Sequence, residues 1–289
     1  MISFRYHLVS VAAVLLALAA GIALGAGPLD DNTILSGDDN AGSSADPAIA
    51  RFESGYAART SGALLKGVLK SRSVVVLTLP GARAEETKDI RADIEKAGAD
   101  VTGEVQLTGK LVDPANRQFA EGVAQQSASD VKGVTDAGES YGRIGAALGR
   151  SVLGKSGKNI DTTANTISSA FVEGELVTYA AKPEKFADLA VVVSGPGRAG
   201  DSGSVAAQLA KAIDGSGRGA VLAGPSTSSQ DGGVLAALRD SDAASQVSTV
   251  DVTDTAAGRV VVSLALAREA DGQSGSWGTS RSADGAVPR

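Results

Sequence analysis

The chain has 289 residues, with 27 Lys and Arg against 33 Asp and Glu, a formal net charge of −6 and no cysteine. That balance argues against a nucleic-acid-binding protein and against docking on anionic lipid through a polybasic run. The missing cysteine excludes disulfides, thiol chemistry and a lipidated N-terminal cysteine. The length suits one sizeable domain with accessory segments, and with aromatics at 3% the core must be built mostly from Ala, Val and Leu.

From Leu8 to Gly27 there is no charge, and Ser10 is the sole polar side chain. At 1.5 Å per residue this run makes a helix of about 30 Å, the thickness of a bilayer's hydrocarbon core. A signal peptide is the rival reading, with a shorter apolar run and a small-residue cleavage site. Gly25-Ala26-Gly27 meets that site only loosely, and the length of the run favours an uncleaved anchor over 1–29. Both readings export the remainder. Arg5 precedes the run while Asp30 and Asp31 follow it, so the N-terminus is expected in the cytoplasm and the main domain outside the plasma membrane. Ala13, Ala17, Gly21 and Gly25 fall at i, i+4 spacing and form a stripe of small residues, the pattern that lets membrane helices approach closely. Self-association, as a homodimer, is the functional expectation from that stripe; an alanine-rich composition producing it by chance is the bland one.

Residues 30–46 are acidic and rich in Gly, Ser and Asn, a composition for a flexible linker. Residues 47–70 space Ile49, Phe52, Tyr56, Ala63 and Val68 loosely as a helix, a short stalk interrupted by Gly55, Gly62 and Gly67. An exported domain is expected over 71–272. Strands are expected at Ser73–Leu79, Val101–Leu107, Leu176–Tyr179, Leu189–Ser194, Ala220–Ala223 and Val247–Val252, the most apolar of them buried on both faces. Helices are expected at Glu85–Ala97, Pro114–Gln126, Ile144–Leu153, Asp161–Phe171, Ser204–Ile213, Gly233–Leu238 and Gly258–Glu269, although Val260-Val-Val also suits a strand. Residues 273–289 read as a disordered polar tail. Strands separated by helices predict an α/β fold, a Rossmann-like and mainly parallel sheet with helices on both faces.

The sharpest motif is Gly195-Pro-Gly197-Arg-Ala-Gly200, a G-x-G-x-x-G between a strand and a helix. It raises the alternative of a nucleotide-binding enzyme. Against it stand a helix start expected only near Ser204, a following strand that ends in Gly-Pro without an acid for a ribose, and a position late in the chain. With His7 as the one histidine, the exported domain has no imidazole base for a Ser-His-Asp triad. No catalytic residue and no bound cofactor are expected, and the chain reads as a non-enzyme.

The opening MISFRYHLVSVAAVLLALAAGIALGAGPL resembles the actinobacterial MctB family, named for mycobacterial copper transport protein B and including SteB-like envelope proteins. Weaker matches lie at Ser73-Val-Val-Val-Leu, Thr249-Val-Asp-Val, Gly258-Arg259-Val and Gly275-Ser-Trp-Gly278. The resemblance implies copper transport or homeostasis, a coiled coil after the anchor, and, among the SteB-like members, a role in the cell envelope with a cytoplasmic partner for the tail, here Ser3, Arg5 and His7. Copper(I) is held by thiolate or thioether and copper(II) by imidazole, yet Met1 and His7 are the only such donors. One protomer cannot assemble a high-affinity copper site, and one apolar helix cannot line a pore. The expected mechanism is therefore a non-enzymatic envelope scaffold acting through protein–protein contacts. Direct copper efflux is the alternative.

Overall fold

The computed structural model describes residues 47–138, 140–197 and 200–288. The expected anchor at 1–29 lies outside them, with Ala13, Ala17, Gly21, Gly25, Ser3, Arg5 and His7. Among the described residues no helix is long and apolar enough to cross a membrane.

The described chain runs α1 (Pro47–Leu65), β1 (Ser73–Thr78), α2 (Ala84–Lys96), β2 (Asp100–Leu107), α3 (Gly109–Val112), α4 (Arg117–Ser127), α5 (Lys132–Thr135), α6 (Tyr141–Val152) and α7 (Thr162–Glu173). It continues through β3 (Val177–Ala181), β4 (Leu189–Val193), α8 (Asp201–Asp214), β5 (Gly219–Ala223), α9 (Val234–Arg239), β6 (Ser248–Val250), α10 (Ala256–Ala270) and β7 (Ser276–Trp277). The seven strands form one sheet in the order β3-β2-β1-β4-β5-β6-β7. All neighbours pair in parallel except β3, which runs antiparallel to β2 at one edge.

The central strands carry uninterrupted apolar sequence because both of their faces are covered. Every residue of β1, β4 and β5 is buried, as continuous Val/Ala/Leu runs require in a parallel sheet. Successive side chains point to opposite faces. Val75, Leu77, Ala190, Val192 and Leu222 enter one core with α4, α6, α7, α8 and α9. Val74, Val76, Leu189, Val191 and Val221 enter the other with α1, α2 and α10. On the first face, Gly145 and Gly149 of α6 let it lie against α8. A Cβ on Gly145 would stand 2.7 Å from the Ala212 Cβ, and one on Gly149 would overlap Ser216.

Several boundaries differ from expectation, each for a physical reason. Helix α1 runs unbroken through Gly55 and Gly62, where an added Cβ would meet nothing within 4 Å beyond the helix itself, and turns only at Gly67, whose φ is +75°. Isolated exposed glycines cost a helix stability without ending it. Helix α8 begins at Asp201 rather than near Ser204, because small polar residues are well suited to a first turn. The Val260-Val-Val segment is helical within α10, capped by the Thr255 hydroxyl accepting from Gly258 N–H at 3.0 Å.

The largest correction concerns residues 273–289. In place of a disordered tail, Ser276 and Trp277 form β7 in parallel register with Thr249 and Val250. Trp277 is buried, and Gly278 N–H donates to Gly285 O at 3.0 Å as the chain folds back along that edge.

Candidate functional site

The strand order reverses between β1 and β4, and in open α/β sheets that switch point is where ligands bind. The loops leaving the two strands meet there. Gly195 packs so closely on Gly81 that any Cβ would overlap the Gly81 carbonyl. Gly197 has φ of +86° and its N–H donates to Thr227 Oγ1 at 3.2 Å. A cleft of about 210 Å³ remains, walled by Leu79, Pro80, Val112, Ser202, Ala206 and Val234.

The cleft brings together part of the predicted glycine motif and the start of α8, so the helix N-terminus does border the loop. Four observations nevertheless weigh against a nucleotide. The space is below the roughly 300–1,000 Å³ of usual small-molecule sites, and among the described residues no charged side chain lines it. Asp201 opens α8, placing a carboxylate where a helix would otherwise favour an anionic phosphate. Strand β5 ends at Ala223, followed by Gly224-Pro225 with no acid. Gly195 thus serves close approach of two loops, which needs no ligand to explain it.

Among the described residues no group of three or more His, Cys, Asp or Glu side chains could hold a metal ion. Met1 and His7 lie outside them.

Sequence reasoning missed a buried charge centre at the β6 edge. The Arg239 and Asp251 side chains are 4% and 0% exposed and are 2.6 Å apart. Arg239 also donates to Thr249 Oγ1 at 2.8 Å, to the Trp277 carbonyl at 3.3 Å and to the Ser280 hydroxyl. Asp251 accepts from Thr279 N–H at 2.7 Å and from the Ser280 hydroxyl at 2.6 Å. Burial alone would raise the Asp251 pKa, but the donors from Ser280, Thr279 and Arg239 outweigh it and hold the carboxyl below its usual range. Every partner belongs to β6, α9 or the C-terminal segment, so the pair is a fastening for β7. The signal was present in the sequence: Thr249-Val-Asp-Val and Gly275-Ser-Trp-Gly278, far apart along the chain, are the segments the fastening joins. Gly258-Arg259-Val adjoins them, with Arg259 donating to Thr253 O at 3.0 Å.

A carboxyl pair lies where β5 and β6 begin. Asp214 accepts from Ala220 N–H at 2.7 Å and Glu269 from Ser248 N–H at 2.8 Å. Burial pushes Asp214 up to about 6, and burial together with the neighbouring Asp214 charge pushes Glu269 to about 7. Both sit at the opposite end of the sheet from the cleft.

The third feature is the outer face of α1. Its inner side packs through Ala57, Ser61 and Leu65, and Glu53 accepts from Ala257 N–H at the start of α10 at 2.6 Å. Outside, Phe52 is 74% exposed, Ile49 and Tyr56 63%, and Leu64 56%. The Phe52 and Tyr56 rings stack with centroids 6.4 Å apart.

Residues 1–288 match the family model described as "Copper transport outer membrane protein, MctB". The chain is 29% identical over 293 residues to the copper transporter MctB of Mycobacterium tuberculosis and to that of Mycobacterium bovis, covering 92% of both chains in each case. It is 28% identical over 292 residues to the copper transporter MctB of Mycobacterium leprae, again covering 92% of each. With a match across nearly its whole length, the chain belongs to the MctB family.

Proposed function

We propose that this protein is a single-pass, membrane-tethered envelope protein that works as a non-enzymatic scaffold, and that its part in copper transport or homeostasis is indirect. The observation that carries this reading is the donor inventory: no cysteine, one methionine and one histidine in the whole sequence. Copper(I) sites need several soft ligands, so a metal-handling partner must supply them. The switch-point cleft supports the same reading, since its volume is below that of usual small-molecule sites and its described walls carry no charge. In this scheme the N-terminal helix crosses the plasma membrane, the α/β domain stands outside, and Ser3, Arg5 and His7 meet a cytoplasmic partner. Copies pair through Ala13, Ala17, Gly21 and Gly25. The names of the mycobacterial relatives favour a second reading, a direct component of copper efflux.

The deciding experiment compares cells lacking the protein with their parent for copper content and septum separation in the same cultures. Normal copper with chained or fragile cells supports the scaffold. Copper accumulation with normal separation overturns it in favour of efflux. Within the scaffold reading, Gly21→Leu blocks close helix approach and should reduce the crosslinked dimer in membranes; an undiminished dimer removes that face from the scheme.

A further inference from the structure

The outer face of α1 has a pattern of its own. Ile49, Phe52, Tyr56, Arg59, Ala63 and Lys66 follow one another at three- and four-residue steps and so share one side of the helix and its last turn. The first half of that line is large and apolar, and the second half is cationic. Arg51 and Lys70 are exposed nearby, and among the described residues none of these four cations is in an ion pair as Arg72 is with Asp188. From Arg51 to Arg72 the chain carries five basic residues and one acid, Glu53, whose carboxylate is taken up at the start of α10. The chain as a whole is acidic, so this is a local reversal of sign, and it overrides at this helix the whole-chain argument against docking on anionic lipid.

The arrangement discriminates between occupants. A second copy pairing in parallel would set Arg59 beside Arg59 and Lys66 beside Lys66, which is repulsive. Antiparallel pairing would oppose Ile49 to Lys66 and leave Phe52 with Ala63 as its one apolar contact. The Asp-rich stretch 30–46 has opposite charge, but offers only Ile34 and Leu35 as large apolar side chains against the three of this face, Ile49, Phe52 and Tyr56. An anionic bilayer surface satisfies both halves at once: aromatic and aliphatic side chains enter the headgroup boundary while Arg and Lys meet phosphate. Nineteen residues separate Gly27 from Pro47, and a chain of that length spans at most about 65 Å, which keeps α1 within reach of the membrane.

We infer that the Ile49–Phe52–Tyr56–Lys66 face of α1 lies on the anionic surface of the membrane that holds the anchor, laying the domain on the bilayer. This rests on the membrane tether proposed above.

Because the chain has no cysteine, a nitroxide can be placed at one site. The full chain carrying Ala63→Cys, or Ala180→Cys on exposed β3 as a control, is reconstituted in phosphatidylcholine vesicles with and without 30% phosphatidylglycerol, a composition chosen on the order of that in anionic membranes. Oxygen and nickel-chelate accessibilities then report lipid or water. The Ala63→Cys label should enter lipid in the anionic vesicles, and Ala180→Cys should stay in water. Arg59→Glu and Lys66→Glu should each lower the lipid-facing fraction roughly fivefold, and salt should act in the same direction. A water-exposed Ala63→Cys label in both vesicles overturns the inference. So does a short label-to-label distance between copies, or shielding that persists in detergent without lipid. Alkaline extraction of the membranes reads the tether separately: a retained protein with a water-exposed label rejects the docking alone, and an extracted protein rejects the tether with it.

Discussion

Helices α6 and α1 make opposite use of their residues. Helix α6 is buried over Tyr141, Ile144–Gly149, Ser151 and Val152, and two of its contacts with α8 are made by glycines. Helix α1 buries Ala57, Ser61 and Leu65 while holding Ile49, Phe52, Tyr56 and Leu64 in solvent. In a chain with five Phe and four Tyr, two of these rings stand on an exposed helix while the core is closed mostly with aliphatic side chains, and with glycine where α6 meets α8. Close backbone approach replaces bulk inside, as dense packing permits. Bulk outside has no folding role, and therefore points to something that covers it.

Four substitutions break or sharpen that contrast. The largest effect is expected from Asp251→Ala, which leaves the Arg239 guanidinium buried and unpaired and should cost about 3–5 kcal/mol in denaturant unfolding. Next comes Gly149→Leu in α6. Leucine is the better helix former by up to about 1 kcal/mol, so a net loss of about 1–3 kcal/mol would show overlap with Ser216 winning over propensity.

Smaller again is Glu269→Gln in α10, against which α1 leans. The Glu269 pKa is raised in the fold to about 7 and that of Asp214 to about 6. The folded state therefore holds protons that the unfolded chain has released, and stability present below pH ~4 should be lost progressively as pH rises to ~7. Glutamine keeps an oxygen for the Ser248 N–H and removes the charge, so it should flatten this slope and add about 1 kcal/mol at neutral pH. A slope that survives the change would assign it to other groups. The smallest effect is reserved for Phe52→Ser, expected to alter stability by no more than about 0.5 kcal/mol. A loss comparable with Gly149→Leu would show that the exposed ring supports the fold after all.

The sequence disclosed these regions unequally. Strands β1, β4 and β5 were legible because burial on both faces leaves uninterrupted apolar runs, and the alternating β/α pattern carried the sheet class. The start of α8 was hidden by Asp201-Ser-Gly-Ser, a string that suits a first turn and a loop equally. Strand β7 was not legible from periodicity, since two residues have no period. Its order comes from Arg239 and Asp251, 38 and 26 positions before Trp277, and local pattern cannot report a partner so distant. The apolar spacing of α1 was readable, but only packing shows which of its faces stays outside.

Trp277 is the single tryptophan of the chain, buried on β7 against Gly275 and within the segment that Arg239 and Asp251 hold. Its fluorescence is consequently a built-in gauge of one event, the seating of the last strand. A red shift that precedes the loss of helical circular dichroism on heating would mean that the sheet sheds this edge before the domain melts.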